Sequence, residues 1–230
     1  MTEPDRERIG VLLVDDHRMF AQSLARLLAD EPDIDVLGVA EEAPTALAQA
    51  AELHPQVVLV DYLMPSMDGV AMTAELKRID PTMSVVMLTG SADDRVLLAA
   101  IEAGCSGFVT KDRAADEVVH AVRAAAAGEA LVSPALLGRL LPRLGRGYHE
   151  TGSDLTERER EVLSLIAHGW TNAVVAARLH LSVNTVRNYV QSILTKLDAH
   201  SKLEAVAIAV RAGVIHYPAE GGSTVTDPPT

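Results

Sequence analysis

An alternation that runs through the first half of the chain constrains its fold more than any other feature. Short apolar runs are each followed by an amphipathic helical pattern. Ile9–Val14, Ile34–Ala40, Val57–Val60, Ser84–Leu88 and Gly107–Thr110 read as strands, and patterns starting near Arg18, Ala43, Val70, Asp93 and Ala114 read as helices. Several runs are apolar throughout, as strands are when helices cover both faces of a parallel sheet. The alternation predicts an open, doubly wound α/β fold with five parallel strands. A ligand of such a fold binds in the crevice at the carboxyl ends of the strands.

The second half has a different period. The alanine-rich helix Ala114–Ala127 stops at Gly128, and Pro134–Leu141 has the pattern of a short helix. Pro142 to Ser153 is rich in Gly and charge and reads as a linker. Thr156 followed by Glu159 is a capping-box signature ahead of Val162, Leu163 and Ile166, in a helix that ends at Gly169. Ala173–Leu179 forms a second helix, Ser182 caps a third that runs to Leu197, and Lys202–Ala212 forms a fourth. The expected organisation is an α/β domain over 1–128, a linker with a short helix over 129–153, an all-α four-helix domain over 154–216, and a flexible tail over 217–230.

The net charge of −12 argues at first against a polyanionic partner. However, residues 1–128 hold 10 Lys/Arg against 22 Asp/Glu, and residues 154–216 hold 7 against 6. The acidic excess belongs to the first domain, so a local anion-binding face on the second remains open. The single cysteine, Cys105, excludes an intramolecular disulfide and reads as a buried structural thiol. The N-terminus is polar, with no secretory apolar stretch, and no apolar run spans a bilayer. The expectation is a cytoplasmic protein with no membrane contact.

Chemistry-bearing residues gather at the predicted strand ends. Asp15 and Asp16 follow the first strand, Asp61 ends the third, Thr89 the fourth, and Lys111 follows the fifth. Three carboxylates in one crevice require a cation, and oxygen-only ligands point to Mg²⁺ over Zn²⁺. An ammonium and a hydroxyl beside them suit the oxygens of a phosphoryl group, and a carboxylate can be its acceptor. The stretches "LLVDDH", "LVDYLMPSMDG", "MLTG" and "GFVTK" resemble the receiver domain of bacterial response regulators, a flavodoxin-like fold. That resemblance implies that Asp61 is the phosphoacceptor and that a sensor histidine kinase is the phosphodonor. Asp15, Asp16, Asp61 and the backbone carbonyl of Leu63 would hold Mg²⁺. Lys111 would contact the phosphoryl group, with Thr89 and Phe108 as the switch pair. Pro65 and Gly69 match the turn after the acceptor, and Leu63 and Ser91 occupy the positions that modulate hydrolysis. His17 has no catalytic role in the family and reads as an electrostatic neighbour. The receiver acts only on itself, so no separate enzyme activity is expected.

In the third helix of the second domain, Val186, Val190, Ile193, Leu194 and Leu197 form one apolar stripe. Asn184, Arg187, Asn188 and Gln191 lie opposite, and this composition suits base edges in a major groove. Residues 155–212 resemble the helix-turn-helix of the LuxR family, and the tandem with a receiver resembles the NarL/FixJ subclass. By that resemblance Arg187, Asn188 and Gln191 face the bases, while Thr185 and Lys196 are candidates for backbone phosphate contacts. Thr171 and Asn172 lie near the helix that crosses the DNA backbone, and Val206 and Val210 supply the dimer contact. The implied function is a homodimeric, phosphorylation-controlled transcription regulator bound to promoter DNA, with RNA polymerase as a further partner. Two positions depart from the family: Val174 stands where an acidic residue is usual, and Lys202 where an arginine is. Two alternatives stay open: a regulator that dimerises and binds DNA without phosphorylation, and an acidic protein-interaction module with a helical dimerisation domain.

Overall fold

The computed structural model describes residues 8–65, 67–90, 93–111, 115–130, 132, 134–141, 152 and 154–215. The chain runs β1 (Ile9–Val14), α1 (Arg18–Ala29), β2 (Ile34–Ala40), α2 (Ala43–Leu53), β3 (Val57–Asp61), α3 (Gly69–Ile79), β4 (Ser84–Thr89), α4 (Asp94–Glu102), β5 (Gly107–Thr110) and α5 (Ala115–Ala126). The strands form one five-stranded sheet in the order β2-β1-β3-β4-β5, with every pairing parallel. Successive side chains of a strand point to opposite faces, and here both faces are covered. Val11, Leu13, Leu59 and Leu88 pack with α1 and α5, whereas Leu12, Val14, Val58 and Val60 pack with α2 and α3. This two-sided burial is why the strands are apolar without alternation. The winding reverses between β1 and β3, which opens the crevice at their carboxyl ends.

Below that crevice, the Asp68 side chain accepts a hydrogen bond from the Ala71 N–H at 2.8 Å and caps α3. Gly69 begins the helix because the backbone leaves no room for a side chain. A Cβ there would lie 2.9 Å from both the Asp61 carbonyl oxygen and the Tyr62 Cα.

The second half comprises α6 (Pro134–Leu140), α7 (Glu157–Ala167), α8 (Asn172–Leu179), α9 (Val183–Leu197) and α10 (Lys202–Arg211). The predicted caps are in place: Thr156 and Glu159 form the reciprocal box on α7, and Ser182 caps α9. Apart from Gly152, the linker expected over Pro142–Ser153 lies outside the described residues, as does the tail 217–230. Among the described residues no helix is long and apolar enough to cross a membrane.

The two halves share a core, which the sequence reading did not foresee. Leu97 and Ile101 of α4 and Leu137 and Leu140 of α6 belong to the same apolar cluster as Val162, Val186, Ile193 and Val206. Polar contacts fasten the same seam. Lys77 Nζ donates to the carbonyls of Met83 at 2.5 Å and His200 at 3.0 Å, and Ser201 Oγ donates to the Cys105 carbonyl at 3.0 Å. Arg211 pairs with Glu102 across the seam.

Candidate functional site

The parallel register brings Asp15, Asp61, Thr89 and Lys111 to one edge of the sheet, where each stands at or just past a strand end. Lys111 Nζ lies 2.7 Å from Asp15 Oδ2 and 2.8 Å from Asp61 Oδ2, so one ammonium bridges two buried carboxylates. It also sits 4.9 Å from the centre of the Phe20 ring. Burial pushes the Asp61 carboxyl above its ordinary value and the Asp15 charge adds to this, while Lys111 and the Leu63 backbone pull the other way. Burial works against the Lys111 ammonium too, but its bonds to Asp15 and Asp61 outweigh that and hold it above the usual lysine value.

Asp16 and His17 complete the cluster. His17 Nδ1 lies 3.0 Å from Asp16 Oδ1, 3.3 Å from Asp15 Oδ1 and 3.8 Å from Asp61 Oδ2. Ligand atoms of all four residues fall within 4.8 Å of one another, a spacing that fits one divalent cation. The donor set is mainly carboxylate oxygen, which suits a hard metal ion. The Thr89 hydroxyl is buried and has no hydrogen-bond partner among the described residues, an arrangement that a folded protein seldom keeps without a use. Phe108 is half-buried between Met87, Ala100 and Cys105 on one side and the shared interdomain core on the other. The Leu63 side chain is 67% exposed beside the acceptor. Ser91 lies outside the described residues. Cys105 is fully buried, and burial pushes its thiol up to about 11, in keeping with a structural role.

In α9 the apolar stripe is where its spacing placed it. Val186, Val190, Ile193 and Leu197 are buried, while Asn184, Arg187, Asn188 and Gln191 are exposed. Arg187 and Gln191 line a cleft of about 830 Å³ whose other lining residues include Lys77, Ser84 and Ser106 of the α/β half and Glu129 just after α5. The polar face of α9 is therefore turned partly towards the α/β half.

Three of the expected contact residues of the helical half are engaged within the chain itself in this arrangement. Lys196 reaches inward, not outward: its ammonium lies 2.7 and 3.0 Å from the two carboxylate oxygens of buried Glu159. Thr156 and Ser192 also bond that carboxylate. Burial works against the charge on Glu159, but Lys196, Ser192 and Thr156 together hold its carboxyl down at about 2. Val206 is 1% exposed within the shared core, and Val210 packs against that core, so neither offers a free dimer surface in this arrangement. Lys202 pairs with Glu129, at 2.6 Å, and with the Asn172 side chain, at 2.9 Å. Glu129, Glu159 and Ser192 were missed as partners because each acts across a long sequence separation that leaves no local pattern.

The response regulator receiver domain model matches residues 11–123, and the model for bacterial regulatory proteins of the luxR family matches residues 153–209. Over 207 residues, 90% of this chain and 99% of the relative, the chain is 36% identical to the response regulator protein VraR of Staphylococcus aureus. The chain belongs to the two-component response regulators of the NarL/FixJ type.

Solved structures agree with this assignment. A LuxR-family response regulator from Aurantimonas sp. SI85-9A1 aligns at a TM-score of 0.55 with 28% identity, covering 60% of this chain and 98% of that one. The receiver domain of the response regulator NarL from Mycobacterium tuberculosis aligns at 0.52 with 30% identity, covering 54% and 99%. In this response regulator, phosphorylation of the receiver is coupled to a LuxR-type DNA-binding output. The receiver's chemistry is phosphoryl uptake on itself.

Proposed function

We propose that this regulator takes a phosphoryl group onto Asp61 from the phosphohistidine of a sensor kinase, and that this releases its output half to bind promoter DNA as a dimer. The observation that carries the reading is the single ammonium of Lys111 set between Asp15 and Asp61, with a buried Thr89 hydroxyl that has no hydrogen-bond partner among the described residues. An Asp61 oxygen attacks phosphorus, the bond to the donor nitrogen breaks, and the donor imidazole keeps its electron pair. Asp15, Asp16, Asp61 and the Leu63 carbonyl would hold Mg²⁺, and the ion would neutralise charge on the phosphoryl oxygens. Lys111 then exchanges a carboxylate contact for a phosphoryl oxygen, and Thr89 donates its free hydroxyl to another. Phe108, between the pocket and the shared core, follows Thr89 inward and withdraws packing from the seam. The equilibrium shifts from the closed arrangement, in which Arg187 and Gln191 face the receiver, to an open one. Val206 and Val210 become available for the dimer contact only after that separation. The test treats purified protein with a small phosphodonor and Mg²⁺, then follows intact mass and DNA-binding selection. Phosphorylation without gain of DNA binding would leave the phosphorylation-independent alternative.

Two predictions arise here. The exposed, apolar Leu63 cannot position a water against the acyl phosphate, so Leu63→Asn should shorten the half-life of the phosphorylated protein severalfold, followed by intact mass. An unchanged half-life places control of water access elsewhere. Arg187 offers a rigid donor fork to guanine, and Arg187→Ala should lower discrimination between a selected duplex and scrambled DNA by about 1–3 kcal/mol. Equal weakening on both DNAs would make Arg187 a sequence-blind cation.

A further inference from the structure

The strongest unassigned feature lies where the receiver meets the first helix of the helix-turn-helix. Glu129 follows α5, and both oxygens of its carboxylate are used by the output half. Oε1 accepts the backbone N–H of Asn172 at 3.0 Å, at the first residue of α8. Oε2 lies 2.6 Å from the ammonium of Lys202, at the first residue of α10. Lys202 also donates to the Asn172 side-chain oxygen at 2.9 Å, so the two residues fix each other.

A free N–H at a helix N-terminus, backed by the helix dipole and a lysine, binds carboxylates and phosphates by the same chemistry. Lys202 is only 6% exposed, and a buried ammonium needs an anion. The α8 segment, NAVVAARL, contains no acidic residue that could supply it. Once the halves separate, the Asn172 N–H and Lys202 are left as an anion seat without its occupant. Arg187 of the base-reading face lines the same cleft, and its charge acts on Lys202. Base edges and a backbone phosphate of one DNA could therefore meet this surface together.

We infer that Asn172 and Lys202 form a seat for a DNA backbone phosphate, and that the Glu129 carboxylate occupies it as an internal competitor in the closed protein. The inference rests on the DNA-binding reading above and adds a contact and a means of masking to it. It differs from a plain interdomain tie in one respect. Removing either partner of a tie loosens the halves alike, whereas removing a competitor and removing its seat have opposite effects on DNA binding.

The test uses the full chain and a selected duplex, with fluorescence anisotropy across several salt concentrations, before and after treatment with the phosphodonor. Glu129→Gln should raise the affinity of the unphosphorylated protein ~10-fold, within the usual range of coupling between sites, and leave the phosphorylated form unchanged. Lys202→Met should lower the affinity of the phosphorylated form and reduce the slope of log K against log salt by about 0.9 per protomer, the share of one phosphate. Lys202→Arg should keep that slope, and a thermal melt of each variant shows that its fold is retained. If Lys202→Met instead binds more tightly with an unchanged slope, the pair is only a tie and the seat is wrong. If Glu129→Gln leaves the unphosphorylated protein unchanged, the competition is wrong. If phosphorylated wild type selects no duplex at all, the DNA-binding reading itself falls, and this inference falls with it.

Discussion

Asp61→Asn should abolish phosphoryl uptake outright. Incubated with a small phosphodonor and Mg²⁺, the wild-type chain should gain the mass of one phosphoryl group and the variant none, while the variant melts at the wild-type temperature or slightly above it. The loss is complete because the nucleophile is removed, whereas the surroundings barely change. Asn keeps the shape of the side chain and one carbonyl oxygen for Lys111, and Asp15 still pairs with that ammonium at 2.7 Å. Replacing a carboxyl that burial already pushes upward also removes charge from a crowded site, so stability should hold or rise slightly. A variant that still gains the full mass would move the acceptor to another residue. Asp16 and Asp15 are then the first to examine, since their oxygens share the cluster.

Lys196→Met should destabilise the helical half by roughly 1–3 kcal/mol, between the scales for exposed and for buried ion pairs, because the ammonium is 28% exposed while the carboxylate is buried. Glu159 is 4% exposed, and its carboxylate would keep only Thr156 and Ser192. The pH dependence gives a second signature. The Glu159 carboxyl lies at about 2 in the folded chain against an ordinary 4.5, so the unfolded chain binds the proton more readily between those values. Its contribution to stability is complete above pH 4.5 and is lost as pH falls towards 2. Lys196→Met should flatten that acid limb, measured by denaturant melts of the full chain at a series of pH values. A Lys196 that serves only as a phosphate contact predicts instead a variant that melts with wild type and shows a shallower salt dependence of DNA binding. The two outcomes separate a structural lysine from a DNA-contacting one.

The split between what was legible in the sequence and what was not follows the range of the interactions. Unbroken apolar runs between helical patterns were enough for the doubly wound sheet, because two-sided burial imposes that pattern on each strand locally. Asp61 and Thr89 were legible as strand-end residues for the same reason, and the parallel topology then carries every strand end to one edge. The reciprocal cap on α7 and the buried stripe of α9 were readable too, since capping and helical periodicity span only a few residues. Membership in the response regulators was thus decided by short stretches, each with its own local logic.

Tertiary structure alone decided which partners the lysines around the seam take. Lys196 reaches Glu159 across 37 residues, Lys202 reaches Glu129 across 73, and Lys77 reaches the His200 carbonyl across 123. Nothing near a lysine in sequence distinguishes one aimed at a DNA phosphate from one aimed at a carboxylate of its own chain. That choice depends on which surface packs against it, and here a core shared by α4, α6 and the helix-turn-helix sets the surface. The same packing turns Arg187 towards the receiver. The sequence by itself determined the two folds and the acidic pocket, because local burial and capping encode them. The docking of one half on the other emerged only in three dimensions, because it depends on complementary surfaces assembled from distant segments.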